Sequence, residues 1–424
     1  MQASLVAIIS QGCAANFGDG EKMARALAAK FRIAFDLPTE EAPAAIYLNV
    51  CTAKGISGSL KLLRRAHDAF PDTPIYITGC ATKDLRETAL AFLPSVQFTE
   101  LAEIERNLKS DAGQATPADI TLAQNTLRTS RFTGIVNIEQ GCMDACAFCS
   151  THLVKGRLRS YSTESITAQV HDLVSSGCSE ILLTGQDCGC YGFDTGTNLA
   201  ELVQNILVHV PGDYKLRLGM GNPRHLLTYA DALLDCFADS RVYKFIHLPV
   251  QSGSERILKA MNRRHTARDY ALLAEMFNTR FERFTLSTDL IVGFPGETDD
   301  DFEATLALLK ETRPTVCNIT RFVARPGTPA FALNQDAAVS DAEKHRRSAA
   351  LAQVFQEIAC KNNARWIGFE GDVVTEKQGH RSGTTIARSE SYNPVAIQGE
   401  FAPGKKMRVR ITGAEPFALI AEPL

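Results

Sequence analysis

Short apolar runs recur through the first ninety positions and alternate with stretches of helical spacing. LVAIIS (Leu5–Ser10), AIYLNV (Ala45–Val50) and PIYIT (Pro74–Thr78) read as strands, being rich in β-branched residues and bounded by turn formers. Helical spacing follows them at Glu21–Lys30, Ser57–Ala69 and Asp84–Phe92. Such alternation predicts βαβ units and therefore a parallel sheet. The stretch from Lys109 to Arg131 is polar and small, and reads as a linker or a strap over the surface.

From Thr133 the alternation resumes. Strands are predicted at Gly134–Ile138, Glu180–Thr184, Lys215–Gly219, Lys244–Leu248, Thr285–Val292 and Thr315–Phe322. Helices between them are predicted at Thr163–Ser175, Leu199–His209, His225–Phe237, Ala267–Asn278 and Asp300–Glu311. Six such units fall short of the eight in a complete barrel, so a partial barrel or a strongly curved open sheet is expected. A long polar helix, Asp341–Asn362, leads to a tail without helical periodicity. There Gly371–Thr375, Val395–Gly399, Lys406–Thr412 and Leu419–Ala421 read as short strands separated by turns at Gly379–His380, Ser382–Gly383 and Pro403–Gly404. A small all-β module, barrel-like, is expected at that end. The domain plan is thus an α/β domain over 1–108, a linker over 109–131, a barrel-like α/β core over 132–362 and a β module over 363–424.

Composition narrows the class. The chain has 424 residues, 45% apolar and 22% charged, which excludes a wholly disordered protein. Lys plus Arg number 45 against 48 Asp plus Glu, so any nucleic-acid surface must be a local patch. No apolar run approaches the ~18 residues of a membrane span. The start, MQASLVAIISQGC, lacks a basic region before its apolar run and reads as a first strand, so no membrane partner and a cytoplasmic location are expected.

Twelve cysteines are the unusual number. In a reducing compartment clustered cysteines hold metal or do chemistry more often than they form disulfides. One cluster is tight: Cys142, Cys146 and Cys149, in GCMDACAFC directly after a predicted strand. Three thiolates can ligate three irons of a cubane and leave the fourth iron open to substrate or cofactor. A zinc site closed by His152 is the alternative, and plain packing is another.

Cys13, Cys51 and Cys80 are far apart in sequence, but each lies at or just past the carboxyl end of a predicted strand (QGC, NVC, TGC). In a parallel sheet those ends line one edge, where open α/β folds bind ligands. Three thiols can converge there; the alternative is three separate buried cysteines. Cys178, Cys236, Cys317 and Cys360 read as packing residues. Cys188 and Cys190, in DCGCY, sit near the expected cofactor edge, and His247 reads as a hydrogen-bonded core histidine.

CMDACAFC resembles the radical S-adenosylmethionine motif, with Phe148 before its third cysteine. TGQD (Thr184–Asp187), HLPVQSGS (His247–Ser254), TDLIVGFPGET (Thr288–Thr298) and ARPGTPA (Ala324–Ala330) resemble further blocks of that family. GCAANFGDGEKM, NVCTAKG and TGCATK, around Cys13, Cys51 and Cys80, resemble the amino-terminal domain of the methylthiotransferases, and the β module resembles the RNA-binding TRAM domain. The resemblance implies two [4Fe–4S] clusters, one on each cysteine triad. It also implies S-adenosylmethionine, bound by Thr184, Gln186, Asp187, Gln251, Ser252, Asp289 and Gly293. Its fold is an amino-terminal parallel α/β domain, a partial (β/α)6 barrel and a terminal β barrel. The implied chemistry uses one S-adenosylmethionine to methylate sulfur held at the amino-terminal cluster. A second yields a 5′-deoxyadenosyl radical that removes the C2 hydrogen of a modified adenine. An electron donor such as flavodoxin or ferredoxin is implied, and the sulfur source is not.

Family members act on tRNA adenosines carrying an isopentenyl or a threonylcarbamoyl group, or on a ribosomal-protein aspartate. LVKGRLRSYS (Leu153–Ser162), LTGQDCGCYG (Leu183–Gly192) and LRLGMGNPRH (Leu216–His225) resemble the archaeal and eukaryotic branch acting on N6-threonylcarbamoyladenosine next to the anticodon. Cys188 and Cys190 depart from that branch's commoner Asp-Thr-Gly-Ala-Tyr. The threonylcarbamoyl group ends in a carboxylate, for which Arg217 and Arg325 are candidate partners; a structural role paired to acids in the barrel is the alternative for each. Lys155, Arg157 and Arg159 beside one cluster, and Lys405, Lys406, Arg408 and Arg410 in the β module, are candidate contacts to the anticodon stem-loop of tRNA; a solvated face is the alternative for each patch. A reading of another class is a non-enzymatic iron–sulfur RNA-binding redox sensor.

Overall fold

A computed structural model describes residues 3–109, 127–379 and 381–424. Most of the expected linker, and His380 of one expected turn, lie outside the described residues. The chain forms two compact units: one of residues 1–142, 149–186 and 209–212, the other of 143–148, 187–208 and 213–424.

The first unit is built on β1 (Leu5–Ser10), β2 (Arg32–Ala34), β3 (Ala45–Val50), β4 (Ile75–Gly79) and β5 (Gln97–Phe98). They form a parallel sheet in the order β2-β1-β3-β4-β5. Between them run α1 (Ala14–Leu27), α2 (Gly55–Ala69) and α3 (Lys83–Phe92), with α4 (Leu101–Lys109) after β5. Alternation along β1 explains the two covered faces. Ala7 and Ile9 pack with Leu63, Ala66 and Leu85 of α2 and α3, whereas Val6 and Ile8 pack with Met23, Ala24 and Leu27 of α1 and Ile104 of α4. β6 (Thr133–Asn137), β7 (Glu139–Gln140), α5 (Thr151–Lys155), β8 (Arg159–Ser160), α6 (Thr163–Ser175) and β9 (Glu180–Thr184) complete this unit, with β9 parallel to β6.

The second unit holds most of α7 (Leu199–His209), then β10 (Lys215–Leu218), α8 (Pro223–Leu226), α9 (Ala230–Cys236), β11 (Phe245–His247), α10 (Glu255–Ala260) and α11 (Ala267–Arg280). β12 (Thr285–Val292), α12 (Asp299–Thr312), β13 (Val316–Arg321), α13 (Pro329–Ala337) and α14 (Asp341–Ala364) follow. β11, β12 and β13 are parallel neighbours, so all six expected core strands exist. Both capping boxes, Thr266 with Asp269 and Thr298 with Asp301, start helices where side-chain oxygens satisfy the first free amides.

The last five strands, β14 (Glu370–Gln378), β15 (Thr384–Ser389), β16 (Pro394–Gln398), β17 (Lys406–Glu415) and β18 (Ala418–Pro423), close a barrel around Val373, Ala387, Val395, Ile397, Val409 and Leu419. The β15–β16 turn anchors this barrel within its unit. Lys244 donates its backbone N–H to Glu390 O at 2.9 Å, Ser391 Oγ donates to Arg283 O at 2.8 Å, and Tyr392 packs edge-on against Tyr243. No helix among the described residues is long and apolar enough to cross a membrane.

Candidate functional site

Three thiols meet at one edge of the first sheet. Cys13 caps the amino end of α1 just past β1, and Cys51 and Cys80 follow β3 and β4 directly. Because β1, β3 and β4 are adjacent, parallel pairing delivers their carboxyl ends side by side. Gly12, at φ +101°, is required: a Cβ there would lie 2.3 Å from Cys51 Cβ and 2.5 Å from its Sγ. Asn16 Nδ2 ties the loop together, donating to Gln11 O and Asn49 O at 2.8 Å each. Cys51 and Cys80 are buried and Cys13 is exposed.

The thiols feel one another. Cys13 is pushed far up from its usual range, first of all by its hydrogen bond to Cys51. Burial pushes Cys80 up to about 11, against the pull of Lys155. A [4Fe–4S] cluster fits this donor set, with Lys155 as a neighbouring cation.

The second triad lies on the loop between β7 and α5, and Cys142, Cys146 and Cys149 are all half-exposed. In the first unit, Gly141 (φ +84°) leaves no room for a Cβ, which would sit 2.1 Å from Arg157 O. Gln186 Oε1 accepts from Gly141 N at 2.7 Å. In the second unit, residues 143–148 are sewn in by many bonds. Asp144 takes Arg224 Nη1 at 2.6 Å and Asn222 Nδ2 at 2.5 Å, and lies 3.2 Å from His225 Nε2. Asn262 Nδ2 donates to Ala145 O at 2.7 Å, Arg263 Nη1 to Cys146 Sγ at 3.5 Å, and Ala147 N to Met261 O at 2.8 Å. Burial works against the Asp144 charge, but His225, Arg224 and Arg263 outweigh it and hold the carboxyl below its usual range. Among the described residues His152 joins no group of ligand atoms compact enough for one ion. Three half-exposed thiols on a pinned loop fit an iron–sulfur cluster with one open iron.

The residues expected around S-adenosylmethionine take varied roles. Thr184 ends β9 and accepts from Ile138 N through its carbonyl at 2.8 Å. Gln186 is spent on Gly141, so it positions the cysteine loop. Asp187 is buried, caps the turn at Cys188–Cys190 and accepts from Asn222 N at 2.9 Å; burial raises its pKa. Ser252 is fully buried and pairs with Thr305 Oγ1 at 3.3 Å, which makes it a packing group. Gln251 holds a left-handed backbone (φ 77°) and brackets β12, donating to Asp289 O and accepting from Ile291 N. Asp289 Oδ1 meets His247 Nε2 at 3.0 Å and Asn318 Nδ2 at 2.7 Å. Burial opposes its charge, but His247 and Asn318 keep the carboxyl below its usual range.

Gly293 (φ +73°) opens the turn after β12, and Gly293 N donates to Glu297 Oε2 at 2.6 Å. Arg347 from α14, 4% exposed, pairs with that same oxygen at 2.7 Å. Sequence reasoning missed this buttress, and Arg347 sits in a helix whose polar sequence gives no sign that one face is buried. It also missed the Asp144–Arg224–Asn222–His225 clamp. The NPRH segment and the acid between two cysteines were its only signals.

Among the expected cations, Lys155 is corrected: its side chain is 11% exposed and paired with Asp19 Oδ2 at 2.8 Å, so it is no open phosphate contact. Arg157 and Arg159 are exposed. Lys406, Arg408 and Arg410 alternate outward along β17. Lys406 already lies 3.3 Å from Asp213 and Arg410 2.7 Å from Glu370, while Lys405 covers Phe401 and Arg408 carries no side-chain partner among the described residues. Arg217 packs over Phe245 and Tyr392, at 5.0 and 5.5 Å; among the described residues no carboxylate pairs with it and its buried Nε lacks an acceptor. Arg325 is half-buried, and its carbonyl takes Thr328 Oγ1 at 2.7 Å. Cys188 and Cys190 are fully buried.

Comparison with known proteins agrees with this geometry. Residues 136–309 match the Radical SAM superfamily. A probable threonylcarbamoyladenosine tRNA methylthiotransferase of Archaeoglobus fulgidus is 34% identical, over 96% of this chain and 95% of its own length. Its counterpart in Pyrococcus horikoshii is 33% identical over 98% and 99%. The threonylcarbamoyladenosine tRNA methylthiotransferase of Drosophila melanogaster is 30% identical over 97% of this chain and 76% of its own. Among solved structures, the radical S-adenosylmethionine methyltransferase TsrM of Kitasatospora setae shares the fold, with a TM-score of 0.58 at 13% identity over 77% of this chain and 75% of its own. The chain belongs to the threonylcarbamoyladenosine tRNA methylthiotransferase family of radical S-adenosylmethionine enzymes.

Proposed function

We propose that this enzyme adds a 2-methylthio group to C2 of N6-threonylcarbamoyladenosine next to the tRNA anticodon. The observation that carries the reading is similarity to proteins of that name over 96% of this chain and 95% of a relative. As a member of the family it uses S-adenosylmethionine and [4Fe–4S] clusters. Cys142, Cys146 and Cys149 would hold one cluster, and Cys13, Cys51 and Cys80 the other. When bound, these groups supply the electron, the radical hydrogen abstraction, and the sulfur and methyl transferred.

The chain's own residues do the positioning. Gln186, Asp144 and Asn262 fix the loop that carries the first triad. Arg347 backs the Gly293–Glu297 turn after β12, where Gly293 lets the Lys344 stem lie against the backbone. Asp289, kept charged by His247 and Asn318, offers an acceptor beside it. A substrate ending in a carboxylate needs a cation at the point of burial. Arg217, a guanidinium with no carboxylate of its own, supports threonylcarbamoyl over isopentenyl recognition. Arg408 and its neighbours on the terminal barrel would contact phosphates of the stem-loop, in the manner of a TRAM module. The base must leave its stack to expose C2, and an anticodon loop permits this at little cost. An electron donor of the flavodoxin or ferredoxin kind would complete the system.

The test is reconstitution with tRNA carrying either the threonylcarbamoyl or the isopentenyl group, followed by nucleoside mass analysis. Product from the first supports the reading, and product only from the second refutes it.

A further inference from the structure

The first unit contains a cavity of about 740 Å³, lined in part by Lys155 and Arg159 of the expected cation patch. Its floor includes Asn49, Thr78 and Gly79, at the carboxyl ends of β3 and β4, immediately before two of the auxiliary cysteines. Its walls include the first turn of α4 (Glu100, Leu101, Ala102) and the first turn of α6 (Ser162, Ser165). Helix amino ends carry partial positive charge, which favours an anion, and at α6 the Ser165 amide is already capped by Ser162 Oγ at 3.2 Å. Four cations line the space, Lys22, Arg86, Lys155 and Arg159, against the two carboxylates of Asp19 and Glu100.

Two of those cations are already engaged. Lys155 is paired with Asp19, and Arg86 donates to Ala81 O at 3.2 Å while lying over Phe98. Lys22 is different. It is 7% exposed, and its ammonium makes a single hydrogen bond, to Tyr161 OH at 3.2 Å, with the Tyr161 ring 4.5 Å away. No carboxylate among the described residues pairs with it, and both Lys22 and Tyr161 line the cavity. An ammonium held at a cavity wall by one hydrogen bond has donors to offer an anion. Asn49 and Asn137, also in the wall, each keep a buried Oδ1 without a donor. Their Nδ2 atoms are committed, to Asn16 O and Ser10 Oγ for Asn49, and to Ala15 O and Asp19 Oδ1 for Asn137, so their orientation is fixed.

We propose that this cavity binds a nucleotide, with Lys22, Arg159 and the amino ends of α4 and α6 receiving its phosphate. The volume suits a ligand of that size. A phosphate answers the cations on the wall. The nucleotide is either free or one residue of the bound RNA. Only the second source rests on the tRNA reading above.

The experiment is calorimetry on the full-length, cluster-loaded protein with S-adenosylmethionine saturating, using 5′-AMP, adenosine and a synthetic anticodon stem-loop. Expected is binding of 5′-AMP at least tenfold tighter than adenosine, lost at least tenfold in Lys22→Met and retained in Lys22→Arg. Arg159→Ala, at an exposed position, should weaken 5′-AMP several-fold and guards against a folding defect at Lys22. If 5′-AMP displaces the stem-loop and Lys22→Met weakens both, the nucleotide belongs to the RNA; if only 5′-AMP binding falls, it is a free ligand. Absence of 5′-AMP binding, or equal binding by wild type, Lys22→Met and Arg159→Ala, overturns the proposal. Failure of the tRNA reading would show separately, as no methylthiolation by the wild-type enzyme.

Discussion

Arg224→Met is the sharpest probe of how the radical cluster loop is held. The substitution keeps the aliphatic stem and removes one charge-assisted hydrogen bond, 2.6 Å long, from the buried carboxylate of Asp144. Breaking a fully buried ion pair costs about 3–5 kcal/mol. The Arg224 side chain is 32% exposed and Asn222 still serves Asp144, so the lower range of charged hydrogen bonds applies, about 2 kcal/mol. That corresponds to roughly thirtyfold in the equilibrium for local opening of residues 143–148. Amide hydrogen exchange reads this directly, because Ala147 N is bonded to Met261 O and becomes exchangeable when the loop lifts. Exchange of a peptide covering the loop should speed by about that factor, with α11 and β12 unchanged. Arg224→Lys should recover part of the protection, since a point charge replaces the fork without reproducing it. Unchanged exchange at Ala147, or a uniform increase across the unit, would refute the clamp.

Cys142, Cys146 and Cys149 changed together to Ala should abolish 5′-deoxyadenosine formation and leave about half of some eight irons per chain, read by iron and sulfide analysis; full iron content would contradict the assignment. Cys51→Ala should stop methylthiolation while some 5′-deoxyadenosine still forms, because it breaks only the triad at the sheet edge. On the terminal barrel Arg408→Ala should lower the salt slope of tRNA binding by about one, more than Lys406→Ala, whose ammonium already faces Asp213. Burial and Lys215 push Lys244 down to about 8. The unfolded chain therefore holds more protons from about pH 8 to about 10.4, and stability should rise across that window. Lys244→Met should remove that rise in melts of the barrel anchor.

The legible parts of the fold were those where burial and local pattern agree. Leu5–Ser10, Ala45–Val50, Glu180–Thr184 and Thr285–Val292 lie where their apolar runs placed them, since strands covered on both faces read as continuous runs. The start of α1 was misread by seven residues, at Glu21 instead of Ala14. Gly18 and Gly20 look like loop formers, yet they sit in the helix because Cβ atoms there would strike Asn137 Oδ1 at 2.5 Å and Ser10 Oγ at 2.1 Å. Close packing, which a local window cannot see, decided that boundary. The strand Thr384–Ser389 was missed because turn residues at 382–383 and polar alternation masked it.

The candidate site shows the same division. The placement of Cys13, Cys51 and Cys80 at three strand ends was legible. The partners of single polar residues were not: nothing local pairs Lys155 with Asp19, or Arg347 with Glu297, because those contacts join residues 136 and 50 positions apart. Arg217 is the reverse case, a cation whose missing counter-ion becomes visible only once its neighbours are known.

The central claim is the substrate. Anaerobically loaded enzyme, S-adenosylmethionine, a reductant and a sulfide source are mixed with tRNA bearing N6-threonylcarbamoyladenosine, and the digested nucleosides are weighed by mass spectrometry. The 2-methylthio derivative of that nucleoside, formed with 5′-deoxyadenosine and reduced at least tenfold in Arg217→Met, is the predicted result. Methylthiolation of isopentenyladenosine tRNA with the threonylcarbamoyl tRNA untouched would contradict it.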